Sequence, residues 1–530
     1  MPSRQSRPRP RPGLPLLGWV GLAVVLVAAL AALRTSSLGA ADPAAGGPVG
    51  GPGAEPQARA EAPDDAPAAV CGSPRLDGPA EPPDGAVVVP TSDNLPLVVS
   101  QSPPGTTFWL APGRHRLGET AYDSVRPNDG DTFVGAPGAV LDGDGTNLYA
   151  FTGKASDVTV RHLTVEGFGG RLDNRNQGVV NHDSAPGWLV ERNTLRRNGG
   201  AGVFLGDGAV VRHNCLTENG QYGFSAYSPT GPKDVVLHHN EISHNNTADW
   251  EKRIPTCGCT GGGKFWATTG AQITDNWVHN NSGPGLWADN NNTGFTIEGN
   301  LVEHNDSEGL VYETSYNASI VGNTFIGNGT VKGPRNPGFP TPAIYVSESG
   351  ADPRAGTLHG EALVVAGNRF IDNWGGVAIW ENADRYAGSP ANPTQDTTLV
   401  NPEVATFEAC ADPDLIAEDP YFDDCRWKSQ HVHVHDNLFE LDPEQLGPEC
   451  TVENICGVSG IFSNWGTFPP HSPFQGTLVE NAVTLEQDNR FWDNTYRGPW
   501  LFMALEAGSF VTWNQWRSEP YLQDAGSSTQ

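Results

Sequence analysis

The residues that could do chemistry lie in a series of short alternating segments: "KFWAT", "GLWAD", "GLVYE", "AIYVS" and "GVAIW". Let the first apolar residue of each point inward. The alternation then turns Phe204, Trp266, Trp287 and Tyr345 outward in one column, and Tyr227, Asp289, Glu313 and Trp380 outward in the next. Glu348 and Glu381 fall one residue beyond that second column. Asp289 and Glu313 occupy equivalent places in neighbouring segments, so on adjacent strands their backbones would lie ~4.8 Å apart. That approaches the ~5–5.5 Å carboxyl separation of retaining glycosidases. Carboxylates this close raise one pKa, which keeps one of them protonated as an acid. Lys264, one of six lysines, precedes its segment. Desolvated beside Trp266 and Trp287, it would serve as the proton-abstracting base of a lyase or epimerase. The rings of Trp266, Trp287, Tyr227, Tyr345 and Trp380 suit the apolar faces of sugars, and Glu348 and Glu381 suit their hydroxyls. Alternatively, the Asp289–Glu313 pair holds Ca²⁺, through which an acidic protein would accept a uronate. Any single one of these carboxylates reads equally well as a solvated rung residue.

What could set such columns in register is an asparagine frame. "NTLRRN" at Asn193 is followed by "NCLTEN" at Asn214, "NEISHN" at Asn240, "NWVHNN" at Asn276, "NLVEHN" at Asn300 and "NTFIGN" at Asn323. "NRFIDN" at Asn368, "NLFELD" at Asn437 and "NRFWDN" at Asn489 continue it after longer gaps. A base period in the low twenties with insertions marks a repeat architecture. An aliphatic residue three before all but the last frame, an apolar one two after its first Asn, and the alternating run behind it give three short strands per repeat. That is one coil of a parallel β-helix. Asparagine suits the turn because it tolerates left-handed backbone and bonds locally, and stacked amides form ladders. Asn300 and Asn323 are therefore expected one above the other. About a dozen coils at ~4.8 Å make a rod of roughly 55–60 Å, beginning near "LPLVVS" and capped by the Trp-rich stretch from Phe491 to Tyr521.

This pattern resembles the right-handed parallel β-helix superfamily that includes pectate lyases, polygalacturonases and uronan epimerases. The segments "VNHDS", "CGCTGGGKFWA", "GPGLWAD", "YVSES" and "IWENAD" are similar to those of exported bacterial β-helix-repeat proteins without an assigned activity. The likeness runs from about Val87 to Gln523. It implies an all-β, single-stranded right-handed parallel β-helix, with insertions gathered beside one wall. It implies nothing firm about chemistry, because no Gly-His-Gly, Arg-Ile-Lys or Asp-Pro-His-Asp segment is present.

The remainder of the chain places this rod. Of 530 residues, 64 are Gly and 44 Pro, and the formal charge is −29. So acidic a body is a poor partner for nucleic acid. Residues 1–12 are basic, and 13–34 form an apolar run long enough to cross a bilayer, read as a signal-anchor or signal region. Residues 35–84 read as an Ala/Pro/Gly-rich disordered tether, 85–523 as the β-helix and 524–530 as a tail. The rod is thus expected outside the cytoplasm, anchored or secreted, as a monomer. Eight cysteines in an exported chain favour disulfides. Cys410 with Cys425 and Cys450 with Cys456 are the economical pairs; Cys71, Cys215, Cys257 and Cys259 stay open. "CGC", with His238, His239 and His244 upstream, also suggests a metal clip, but no second Cys-x-Cys supports it and no metal ligand is assigned.

Three functions fit this reading. The first is an enzyme acting on an extracellular polysaccharide, as hydrolase, lyase or epimerase. The second is a non-catalytic glycan-binding rod. The third is a structural envelope protein whose aromatic wall is covered by its own loops.

Overall fold

The computed structural model describes residues 67–169, 178–228, 230–254, 258–356, 359–392 and 401–530. Short strands stack into three long sheets of thirteen, thirteen and eleven strands. Every pairing between named strands is parallel except that of Leu501–Glu506 with Phe510–Val511 at the C-terminal end. From Thr159–Arg161 onward each coil contributes one strand to each sheet in turn, the earlier coils lacking a third-sheet strand, and this is the right-handed parallel β-helix expected of the repeat. The core is a column of inward side chains. Phe325, Phe370, Phe439 and Tyr496 stack through four coils with centroids 5.3, 4.5 and 4.8 Å apart.

The asparagines form two ladders at the ends of the second-sheet strands, one from Asn193 to Asn494 and one from Asn198 to Asn373. Asn300 Nδ2 donates to Asn323 Oδ1 at 2.9 Å, so those two residues are stacked as expected. Two details differ from the sequence reading. The left-handed residue is the one before each ladder asparagine, such as Arg192, His213, His239 and Asp275 with φ of 52–54°. That residue makes the corner, and the asparagine itself remains available to bond inward. The last frame also slips: Asn437 bonds to Asn494, not Asn489, because "NRFWDN" supplies a first-sheet strand, Arg490–Trp492, before its second asparagine.

The ends are built differently from the coils. "LPLVVS" is a helix, Leu95–Ser100, rather than a strand; Asn94 caps it, and Leu95 and Val99 enter the core. The expected tether ends earlier than residue 84. Val70 and Cys71 donate backbone N–H groups to Glu241, and Cys71 is disulfide-bonded to Cys215, 144 residues away. The tail is likewise structured, since Ser528–Thr529 adds a strand to Thr495–Arg497. At the C-terminal end Trp516 is buried against Phe502 and Phe491 and donates to Asp524 at 2.7 Å. Cys410–Cys425 and Cys450–Cys456 are paired as expected. Among the described residues no cysteine is free, which fits an oxidising, extracytoplasmic compartment. The apolar run of residues 13–34 lies outside the described residues; among those described, no helix is long and apolar enough to cross a membrane.

Candidate functional site

The third sheet carries the wall singled out in the sequence. Its relevant strands are Gly263–Trp266, Leu286–Asp289, Leu310–Glu313, Ile344–Ser347 and Gly375–Glu381. Asp289 pairs with Glu313 and Glu313 with Ser347, as the alternation requires. The first of these strands sits two residues from its expected place. Lys264 is level with Trp287, and Trp266 is level with Asp289. The reason is Gly263, which takes the inward position where an apolar side chain was sought. A Cβ there would come within 2.0 Å of the Phe224 ring. A shift of two preserves which face each side chain points to. Its consequence is that Lys264 stands beside Asp289 instead of beyond the wall.

The result is a chain of charges running across four strands. Lys264 Nζ lies 2.6 Å from Asp289 Oδ2 and 4.3 Å above the Trp287 ring, and it donates to the Gly258 carbonyl. Asn290 Nδ2 donates to Asp289 Oδ1 at 2.7 Å. Trp287 Nε1 donates to Glu313 at 3.2 Å. Arg385 reaches in from the loop after Gly375–Glu381, 2.7 Å from Glu313 and 3.3 Å from Glu348. Glu348 also accepts from the Asn382 N–H at 2.9 Å and from the Ser347 hydroxyl. Lys264, Asp289, Glu313 and Glu348 are only 6%, 3%, 4% and 0% exposed, so these pairs act in a low-dielectric setting. Burial pushes Asp289 upward against the opposing pull of Lys264, with Glu313 adding to the rise. Burial carries Glu348 up to about 7 despite Arg385.

The aromatic residues do not all share this place. Trp266, Trp287 and Tyr227 are half-buried on the wall. Phe204 is covered by Tyr222, Trp250 and Cys259. Tyr345 and Trp380 are half-buried but pack on Phe339, with ring centroids 5.9 and 5.1 Å from it. Glu381 stands apart from this chain of charges; Arg426 lies 3.3 Å from it, and it accepts from Ser429 N–H and Gln487. The insertions thus pack on the C-terminal part of the wall, while Trp266 and Trp287 in its middle stay half-buried, with Gly258 against the Trp287 ring. A Ca²⁺ at Asp289 and Glu313 would have to displace Lys264 or Arg385, which already hold those carboxylates. The proposed thiolate clip fails because Cys259 is disulfide-bonded.

Two members escaped the sequence reading. Arg385 lies 72 residues from Glu313 in the chain, inside a long insertion, and no spacing announces its return. Tyr222, whose buried hydroxyl has no hydrogen-bond partner, is pushed well above its ordinary pKa by burial and then by Asp289 and Glu251. Its position just before an alternating run was the only available signal.

Residues 177–354 match the family described as right handed beta helix region. The chain has the right-handed β-helix fold. No curated protein matches it in sequence. Among solved structures it is similar to the catalytic unit of a GH87 α-1,3-glucanase from Streptomyces thermodiastaticus, at 12% identity and a TM-score of 0.51, over 85% of this chain and 70% of that one. It is also similar to the A-module of the Azotobacter vinelandii mannuronan C-5 epimerase AlgE4, at 15% identity and a TM-score of 0.35, over 68% and 93% of the two chains. The periplasmic alginate epimerase AlgG matches at 13% identity and a TM-score of 0.35, over 71% and 78%. At 12% identity the likeness to the glucanase is one of fold alone, and the other two carry no further argument.

Proposed function

We infer that this is an exported, membrane-tethered or secreted protein that acts on an extracellular polysaccharide, with chemistry of the hydrolase, lyase or epimerase type. The observation that carries the reading is the Asp289–Glu313 pair, side by side on adjacent strands between Lys264 and Arg385 and next to the half-buried Trp266 and Trp287. Asp289, raised by burial and by Glu313, is the proton donor. Glu313, held by Arg385 and Trp287, is the second carboxylate of a hydrolase. In a lyase or epimerase Lys264 first passes a proton to Asp289 and then, as the neutral amine, takes the proton from the sugar, while Glu313 orients the ring. Sugar faces stack on Trp266 and Trp287. Because both carboxylates are covered, the Arg385 loop lifts when the glycan enters.

The burial of the charges favours one other reading. A fully paired network is also what a non-catalytic glycan-binding or structural rod would use to fix its wall. The test is a glycan-array screen of the full chain with and without Ca²⁺, followed by product analysis on each hit. New reducing ends, unsaturated sugars or inverted uronates support the enzyme. Saturable binding without turnover leaves a binding rod, and no binding leaves a structural one.

A further inference from the structure

A second cluster lies at the corner between the first and second sheets, away from the wall just described. The corner positions of three successive coils are His213, His239 and Asp275, all with left-handed backbone at φ of 52–54°. Their N–H groups bond to carbonyls of the coil above, His213 to His238, His239 to Thr274 and Asp275 to Glu298, which aligns the three side chains. His238 stands just before His239, with ring centroids 4.0 Å apart, and His213 lies 5.1 Å from His239.

We propose that His238, His239 and Asp275 form a binding site for a divalent transition-metal ion such as Zn²⁺. One ligand atom from each of the first three lies within 4.8 Å of the others. Asp275 Oδ2 is 3.6 Å from His238 Nδ1 and 3.8 Å from His239 Nδ1. Ligands held at ~2.0–2.1 Å around a tetrahedral ion lie about 3.3 Å apart. The two carboxylate–imidazole distances are therefore a few tenths of an ångström longer than in a loaded site, and side-chain rotation would have to close the cluster around the ion. His239 Nδ1 is buried yet makes no hydrogen bond. His238 Nδ1 shares one with Thr274 Oγ1 at 2.6 Å, a bond the ion would displace. The three side chains remain 37%, 42% and 46% exposed, so an ion can enter.

The surrounding charge permits this. Arg192 and Arg212 are the nearby cations, and both are held by Glu191, at 3.3 and 2.8 Å. Two imidazoles with one carboxylate suit zinc, copper or nickel better than calcium or magnesium. Bound there, the ion would clip two neighbouring coils.

The test uses the full chain without an affinity tag, titrated with ZnCl₂ in a calorimeter, beside His239→Ala and Asp275→Asn. One equivalent bound by the parent chain is expected. Because outer-shell changes alone weaken metal sites ~10–100-fold, loss of a direct ligand weakens this one roughly tenfold or more. Co²⁺ should give a tetrahedral absorption band that Asp275→Asn abolishes, a readout that keeps the side-chain shape if His239→Ala does not fold. Absence of saturable Zn²⁺ binding, or equal binding by the parent chain and Asp275→Asn, overturns the proposal.

Discussion

Asp289 and Glu313 are register partners on neighbouring parallel strands, yet each is held by a cation from a different flank, Lys264 at 2.6 Å and Arg385 at 2.7 Å. Two buried carboxylates side by side would repel. The two cations and the Trp287 N–H between them make the arrangement tenable. The same pairing makes the site sensitive to loss of any one member, because each deletion leaves a buried charge exposed to its neighbours.

If the pair performs acid–base chemistry, Asp289→Asn and Glu313→Gln should each lower turnover by about 10²-fold or more while glycan binding survives. Trp287→Ala should do the reverse, weakening binding through the lost stacking face. Product yield on the glycan found by array, set against its binding isotherm, separates the two effects. Full turnover by Asp289→Asn would remove that residue from the mechanism.

Glu348 gives the wall a pH dependence. Burial raises its pKa from 4.5 to about 7, so the folded chain holds a proton that the unfolded chain releases. Stability from this group is complete below about pH 4.5, falls as pH rises, and levels off above about pH 7. The full loss, for a shift of this size, is on the order of 3 kcal/mol. Glu348→Gln stays neutral and can still accept from the Asn382 N–H, so it should flatten that decline. Urea melts across the range read it directly, and an unchanged slope in the variant would place the dependence elsewhere.

The coil, the ladder stacking and the Asp289–Glu313 pairing were legible because each follows from local periodicity. An inward aliphatic, a corner and an asparagine recur at fixed offsets, and period-2 alternation decides which side chains face out. What alternation cannot supply is the starting residue of a strand whose inward position is glycine. That is why Lys264 and Trp266 were placed two residues away from their partners. Nor can it show which insertions fold back. Arg385, Phe339 and Arg426 arrive from loops, and they decide that Glu313 is paired, that Tyr345 and Trp380 are packed, and that Glu381 stands apart. The corner histidines were visible as residues, but their stacking on Asp275 needed the register.

The Cys71–Cys215 bond should matter locally. Residues 67–84 hold to the rod through this bond, the two N–H groups on Glu241, the Leu76 carbonyl on His162 and the Pro79 carbonyl, which accepts from Trp109 Nε1 at 3.1 Å. Cys215→Ser is expected to release that segment to protease while the coils from Val87 onward resist. Limited proteolysis with N-terminal sequencing measures it. A parent-like digestion pattern would mean the polar contacts alone suffice.

The ladder carries the last prediction. Asn300 Oδ1 accepts from both the N–H and the Nδ2 of Asn276, at 2.9 and 3.0 Å, and its own Nδ2 bonds to Ile273, Glu298 and Asn323. Asn300→Ala keeps the backbone N–H bond to Asn323 but strips both Asn276 donors of that acceptor. Asn300 is 1% exposed, so water cannot replace what is lost. A buried unsatisfied polar group costs about 1–3 kcal/mol, and at least one is created in full, giving an expected loss of roughly 2–4 kcal/mol. Asn300→Asp should be about as damaging, since it keeps the acceptor, loses the donor and buries a charge. Equilibrium urea unfolding of both variants is the measurement. A loss below about 0.5 kcal/mol for Asn300→Ala, within the range of an ordinary surface change, would show that the amides merely fill the turn and that the stacked strands hold the coils unaided.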